Sequence, residues 1–277
     1  MIGDSQIIKM AVLDYTKYKV LAFDIYGTLI DWKGAIWMDV LPLLQDSPLQ
    51  EVDAVTKFRD YERQIQAEQP TLAYQEIVKQ AEIRTKADVL LDNKGNGQSI
   101  ESRQEVGKWP AFQDSVEALQ RLKKYFKIVA YSNVDHASFA ATLAGPLKGV
   151  TFDGVYIAED IGCYKPDPKF MQYLISHAKE DFGAKKEEIL VVAHGLEMNH
   201  VPGREMGMQP GVWISRGEKT VGKFEGKVEL GATFENVREL ADTVEAAFEG
   251  KGMTVEVPEP HVPEELKRLE EKGLGGS

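Results

Sequence analysis

The feature that most constrains this chain is Tyr18-Lys19-Val20-Leu21-Ala22-Phe23-Asp24-Ile25-Tyr26-Gly27-Thr28-Leu29, an apolar run that stops at an aspartate and then turns. A run of Val, Leu, Ala and Phe ahead of a Gly-Thr turn reads as a strand buried on both faces, as strands of parallel sheets are. In open α/β sheets the carboxyl ends of the strands open onto the ligand crevice, so Asp24 stands where chemistry is done. A turn-capping carboxylate is the plainer reading of the same residue. Further strands are predicted near 127–131, 152–157, 189–193 and 211–214, with helix-like segments between them, the first over 114–122. Strands alternating with helices give an α/β fold, a doubly wound parallel sheet with right-handed crossovers.

The β pattern stops after Leu29-Ile30-Asp31-Trp32 and restarts at Trp109-Pro110-Ala111-Phe112. Residues 32–108 therefore read as a helical insert, two antiparallel helix pairs at most. Within it Val55, Phe58, Tyr61 and Ile65 recur at three- and four-residue steps, as one apolar helix face does, and Asp60, Arg63 and Glu68 fall off that face. Asn93-Lys94-Gly95-Asn96-Gly97 reads as a turn. Residues 1–31 and 109–250 form the core in this reading. Residues 251–277, with Pro258, Pro260 and Pro263, form a loosely attached extension containing one short charged helix.

Composition narrows the partners. At 277 residues and 43% hydrophobic, the chain can bury one good core and carry an insert. Its net charge of −11, with no dense basic tract, disfavours nucleic acid and anionic membrane as partners. The one cysteine, Cys163, excludes an intramolecular disulfide and a cysteine-rich metal site, suits a reducing compartment, and reads as a packing residue. No run of about 18 apolar residues is available to span a bilayer, and no basic region precedes an apolar core as in a secretory signal. The expected location is the cytoplasm.

Three later segments complete a pattern. Lys127-Ile128-Val129-Ala130-Tyr131-Ser132-Asn133 is a strand ending in Ser-Asn, and Glu159-Asp160-Ile161-Gly162-Cys163-Tyr164-Lys165-Pro166-Asp167-Pro168 carries a lysine before proline. Ile189-Leu190-Val191-Val192-Ala193 leads into His194-Gly195-Leu196-Glu197-Met198-Asn199-His200. With Asp24-Ile25-Tyr26-Gly27-Thr28-Leu29 these segments resemble the motifs of the haloacid dehalogenase (HAD) superfamily. Tyr26 stands where that superfamily's phosphatases have a second aspartate, and resembles the Asp-x-Tyr-Gly-Thr-Leu pattern of its 2-haloacid dehalogenases. The resemblance implies a Rossmannoid core with a helical cap inserted over the nucleophile. It implies Asp24 as a nucleophile that displaces halide from a small 2-haloalkanoic acid through an ester, with Lys165 orienting it. Ser132 and Asn133 then hold the negative group, and Tyr26, Thr28 and Arg59 bind substrate. Arg59 takes the carboxylate and receives the halide, tasks that suit a planar guanidinium.

The fourth motif ordinarily ends in an acid. Registering Met206-Gly207-Met208 and Trp213-Ile214 on the family pattern puts Asn199 at the acid's position and Gly195 at the earlier one, with Glu197 out of register. Mg²⁺ needs hard oxygen ligands, usually carboxylates, and only Asp24 remains of the usual set, so neither metal nor cofactor is expected. The water that opens the ester loses its usual base, and His200, His194 and Glu197 are the candidates to replace it. Plainer readings stand beside these: Ser132 and Asn133 as helix caps, Lys165 as a solvated loop lysine, the histidines as packing residues, and Arg59 as a surface partner of Asp60 or Glu62. The expected function is a metal-independent hydrolase of carbon–halide bonds acting on a small anionic organic acid, with a homodimer compatible. Two alternatives stay open: a non-hydrolytic isomerase, lyase or cyclase on this scaffold, and a catalytically silent binding protein. Tyr26, Gly195 and Asn199 argue against a phosphatase.

Overall fold

The computed structural model describes residues 13–44, 51–92, 101–219 and 221–250. Along the chain run β1 (Val20–Phe23), α1 (Trp32–Val40), α2 (Glu51–Glu68), α3 (Tyr74–Asp92), α4 (Ser115–Leu122), β2 (Lys127–Ser132), α5 (His136–Ala144), β3 (Gly154–Ile157), α6 (Ala158–Ile161) and α7 (Pro168–Phe182). There follow β4 (Ile189–Ala193), a π-helical turn (Leu196–His200), α8 (Val201–Glu205), β5 (Gly211–Ile214), β6 (Leu230–Phe234) and α9 (Val237–Phe248). Among the described residues the strands form one six-stranded sheet in the order β3-β2-β1-β4-β5-β6, all parallel. The order reverses between β1 and β4, and a ligand crevice is expected outside the strand ends at that switch.

Residues of β1 alternate between two apolar layers. Leu21 and Phe23 pack on one face with Ile128, Leu190 and Val212. Val20 and Ala22 pack on the other with Val129, Phe170 and Val191. Burial on both faces is why the sequence of β1, β2, β4 and β5 lacks the polar alternation of a solvated sheet. The sixth strand was not expected. Leu230-Gly231-Ala232-Thr233-Phe234 is an edge strand paired only with β5 and half-buried through most of its length, so it carries no continuous apolar signal.

Local capping sets where the helices begin. Asp135 accepts from the Ser138 N–H at the start of α5, Asp167 from Lys169 N–H ahead of Pro168 in α7, and Asn236 from Glu239 N–H in α9. Gly183 closes α7 in the left-handed region at φ 62°.

Between β1 and β2 lie α1, α2 and α3. The last two run antiparallel, with Lys57 and Tyr61 reaching Asp88 and Tyr74 reaching Glu62. Val55, Phe58 and Ile65 are buried, whereas Tyr61 is half-buried and donates to Asp88. A buried ionic cluster joins the insert's elements, since Lys86 lies 2.5 Å from both Asp39 and Glu82. The 93–97 turn and the 251–277 extension lie outside the described residues. No helix among the described residues is long and apolar enough to cross a membrane.

Candidate active site

Asp24 leaves the end of β1 nearly buried, at 7% exposure, with its N–H on the Val192 carbonyl of β4. The chain then turns through Gly27 at φ 94°, where a Cβ would meet the Trp32 indole nitrogen at 3.0 Å. That turn brings the Thr28 hydroxyl back to donate to Asp24 Oδ2 at 2.9 Å. Thr28 Oγ1 in turn accepts from the His194 N–H at 2.8 Å. Thr28 is fully buried and does not line the cavity, so it positions the Asp24 carboxylate from behind and is not placed to touch a ligand there. Arg216, which the sequence reading missed, donates twice to the Thr28 carbonyl and once to Asp114, with its guanidinium 4.0 Å from the Phe112 ring centre. Burial pushes the Asp114 carboxyl up, but the Arg216 contact outweighs it and holds the group below the usual range.

Lys165 approaches from the loop ahead of α7. Its ammonium donates to Asp24 Oδ1 at 2.9 Å, the Tyr131 carbonyl at 2.8 Å and Asn199 Oδ1 at 2.8 Å, and lies 4.5 Å from the Tyr131 ring centre. Three protons thus meet three acceptors. Burial drives its pKa down while the Asp24 charge opposes that shift. Asn133 does not point its amide freely into the cavity. Its oxygen accepts from the Lys165 N–H at 2.7 Å and its nitrogen donates to the Lys165 carbonyl at 3.2 Å, clamping the lysine's backbone. Ser132 is different: its hydroxyl is buried at the cavity wall without a hydrogen-bond partner.

These residues form the floor of a cavity of about 310 Å³. The Tyr26 ring lines it beside Tyr74 and Trp109, 5.8 and 5.7 Å away between ring centres, but its hydroxyl is bonded to Thr142 at 2.9 Å and burial raises its pKa. From α2 come Arg59, Glu62 and Arg63. Among the described residues no ion pair within 4.0 Å joins Arg59 to Asp60 or Glu62, although its charge acts on Glu62 against the rise that burial causes. Glu62 accepts from the Tyr74 hydroxyl at 2.7 Å, and burial pushes its carboxyl up. Arg63 pairs across the cavity wall with Glu197.

At the rim His194 Nδ1 lies 3.0 Å from the Ile214 carbonyl, which assigns it the proton. Its Nε2 then faces Lys33 Nζ at 3.0 Å and Glu218 Oε1 at 3.3 Å. When the ring also carries a proton on Nε2, its hydrogen bond and charge hold Glu218 down to about 2, with Lys33 adding to the effect. Asn199, in the π-helical turn, accepts from Lys165 and donates to the Gly195 carbonyl at 2.8 Å. The candidate base His200 is not brought to the cavity. It is buried with Nε2 on the Ala193 carbonyl at 3.0 Å, and burial lowers its pKa to about 4, so it packs as a neutral ring. Glu62, Lys33 and Glu218 join the site without a motif to announce them. Only the polar side of α2's periodicity could have pointed to Glu62 and Arg63.

The donors present fit Mg²⁺ poorly. Both Asp24 oxygens are engaged, the Asn199 oxygen is taken by Lys165, and the ammonium occupies the point where those groups converge. No group of three His, Cys, Asp or Glu side chains among the described residues is arranged to hold a metal.

No curated protein matches the chain. Among solved structures, a dehalogenase with an intermediate complex is 18% identical over 81% of this chain and 96% of its own, with a TM-score of 0.66. The L-2-haloacid dehalogenase of Xanthobacter autotrophicus is 16% identical over 82% and 98%, with a TM-score of 0.61. A magnesium-bound HAD-hydrolase of Bacillus subtilis, YfnB, is 17% identical over 82% and 98%, with a TM-score of 0.57. At such identities the likeness shows the fold and leaves the chemistry to the site. A family model for haloacid dehalogenase-like hydrolases matches residues 18–197, well over half the chain and from the first strand to the turn that carries Asn199, and the protein belongs to that family.

Proposed function

We propose that this hydrolase is of the 2-haloacid dehalogenase type and works without a metal. Asp24 attacks C2 of a 2-haloalkanoic acid, the C2–halogen pair leaves with the halide, and an ester joins Asp24 to the substrate. The observation that carries the reading is the way Asp24 is held: one oxygen on the Lys165 ammonium, the other on Thr28, at the floor of a cavity. Tyr26 supports it too. A hydroxyl tied to Thr142 and raised in pKa is no proton donor for a phosphate leaving group. Arg59, on the cavity wall with no ion pair among the described residues, suits the carboxylate and the departing halide. Residues 32–108 act as the cap in this reading, and 1–31 with 109–250 as the core. The buried free thiol of Cys163 agrees with a cytoplasmic setting.

Water must then attack the ester carbonyl and lose a proton. An amide at 199 cannot accept that proton as a carboxylate does, and general-base assistance is worth about 10²–10⁴-fold. Glu197 is occupied by Arg63, which leaves His194 as the base nearest to hand, released when Lys33 moves. Deacylation is therefore the slow half. Incubation with 2-chloropropionate or bromoacetate should release one halide per chain in a burst, unaffected by chelator, and intact mass should show the ester on the peptide containing Asp24. Asn199→Asp should convert the burst to steady turnover. Absence of halide release with every short haloacid, or phosphate ester hydrolysis that appears on adding Mg²⁺, would defeat the reading. The first outcome, with ligand binding intact, favours a silent binding protein, the reading that the loss of the acid at 199 supports.

A further inference from the structure

Two groups on the cavity wall are not used by the chemistry just described, or only in part. Arg59 and Glu62 lie three residues apart on α2, the spacing at which opposite charges on a helix normally meet. They form no ion pair here. Glu62 has one oxygen on the Tyr74 hydroxyl, and its other oxygen has no hydrogen bond among the described residues. A half-buried carboxyl group with a spare acceptor faces the same space as a guanidinium whose charge reaches it but which makes no hydrogen bond among the described residues. Polar groups left at a desolvated wall cost free energy unless a ligand completes them.

The space itself is too large for a three-carbon acid. A volume of about 310 Å³ holds on the order of ten waters at ~30 Å³ each. A chloropropionate displaces only a few of them. Four aromatic side chains, Tyr26, Trp32, Tyr74 and Phe224, line the remainder. Aromatic walls with a small number of placed polar groups are how pockets of this volume take ring-bearing ligands.

Resting on the dehalogenase-type reading, we propose that the acid this site takes carries at C2 an aromatic substituent bearing a hydroxyl, with its carboxylate on Arg59 and its hydroxyl donating to Glu62. Tyr74 holds Glu62 in place for that contact. Hydrolytic displacement of halide from such an acid yields the 2-hydroxy acid. The product class therefore occupies the same contacts and can be used as a probe that needs no turnover.

The experiment is calorimetric titration of the full chain with lactate, 3-phenyllactate and 3-(4-hydroxyphenyl)lactate. Phenyllactate should bind at least about tenfold more tightly than lactate, through the buried ring. The para-hydroxyl should add about a further tenfold, as a hydrogen bond to a partly desolvated carboxyl does. Glu62→Leu should erase the hydroxyl's increment, bringing the two aryl acids to equal affinity in that variant. Glu62→Gln, which keeps an acceptor for Tyr74 and so protects the fold, should retain part of the increment. Arg59→Lys should weaken all three acids. Lactate binding as tightly as the aryl acids, equal affinity for the two aryl acids, an increment that survives Glu62→Leu, or no binding by any of the three overturns the proposal. Halide release is measured separately with bromoacetate. The binding pattern without halide release rejects the dehalogenase chemistry alone, and halide release without the pattern rejects this inference alone.

Discussion

Asp24, Lys165 and Asn199 were legible because each stands at a short offset from a strand end, and parallel strands deliver their carboxyl ends to one rim whatever the rest of the chain does. Asp24→Asn should abolish halide release, since an amide is a far poorer nucleophile. Lys165→Met should cut it by about 10²-fold or more, because it removes the charge and donors that hold the carboxylate. Halide release by Asp24→Asn at the wild-type rate would remove the nucleophile from the account. Glu62, Glu218 and Arg216 were not legible, because their roles depend on which helix face and which loop meet across the cavity. His200 was misplaced for the same reason: one residue beyond Asn199, it turns back to Ala193. Its pKa of about 4 lies below the usual 6.5, so the folded state binds fewer protons than the unfolded chain between those values. Stability is then full above pH 6.5 and is lost as pH falls toward 4, by on the order of 2 kcal/mol between pH 7 and pH 5. Urea titrations should show that slope in the wild type and a flatter one in His200→Asn. Equal slopes would take His200 out of the acid response.

At the scale of elements, the sheet's strands were readable where both faces are covered and unreadable at the edge, as β6 shows. Between β4 and β5 the backbones approach closely. A Cβ at Gly211 would lie 2.8 Å from both His200 Nδ1 and the Val191 carbonyl. The backbone carbonyl cannot swing aside, so β5 must shift away from β4. Gly211→Ala is expected to destabilise by about 1–3 kcal/mol, as overpacking does. Thermal unfolding reads this directly, and an unchanged midpoint would mean that the strands have slack the distances do not allow. The π-helical turn beside them explains why a motif-like stretch yields an unfamiliar site. Its wider winding lets Asn199 and His200, adjacent in sequence, both face inward and reach different partners.

Across the whole molecule, α1–α3 meet the strand-end loops through packing of Tyr74 on Tyr26 and Tyr164 and through a few polar contacts. Tyr164 donates to the Leu72 carbonyl at 2.7 Å, the Gln75 N–H reaches Asp135 at 3.1 Å, Arg63 meets Glu197, and Lys33 meets Glu218 and His194. Both charged pairs are about a third to a half exposed at one partner or both, a setting in which ion pairs contribute little and salt screens them. Arg63→Ala should therefore leave global stability within about 1 kcal/mol. It should nonetheless speed amide hydrogen exchange in the turn 196–200, which loses its tie to α2. Exchange there at the wild-type rate would show that the turn is held from the core alone. Tyr164, His194 and Glu197 lie in stretches the sequence singles out, but their partners Leu72, Lys33 and Arg63 do not, so which contacts join α1–α3 to the strand-end loops was not legible.

Asn199 beside Lys165 makes the charge count at the cavity floor one to one, a single cation answered by Asp24. In the proposed reaction, esterifying Asp24 would spend that anion. The ammonium is then left among two carbonyl oxygens, and burial without a counter-ion favours the neutral amine. An acid at 199 would have kept the lysine charged throughout. With an amide there, that reaction would let the floor shed one proton only after its own carboxylate has been consumed, making its protonation state a record of whether the first bond has been made.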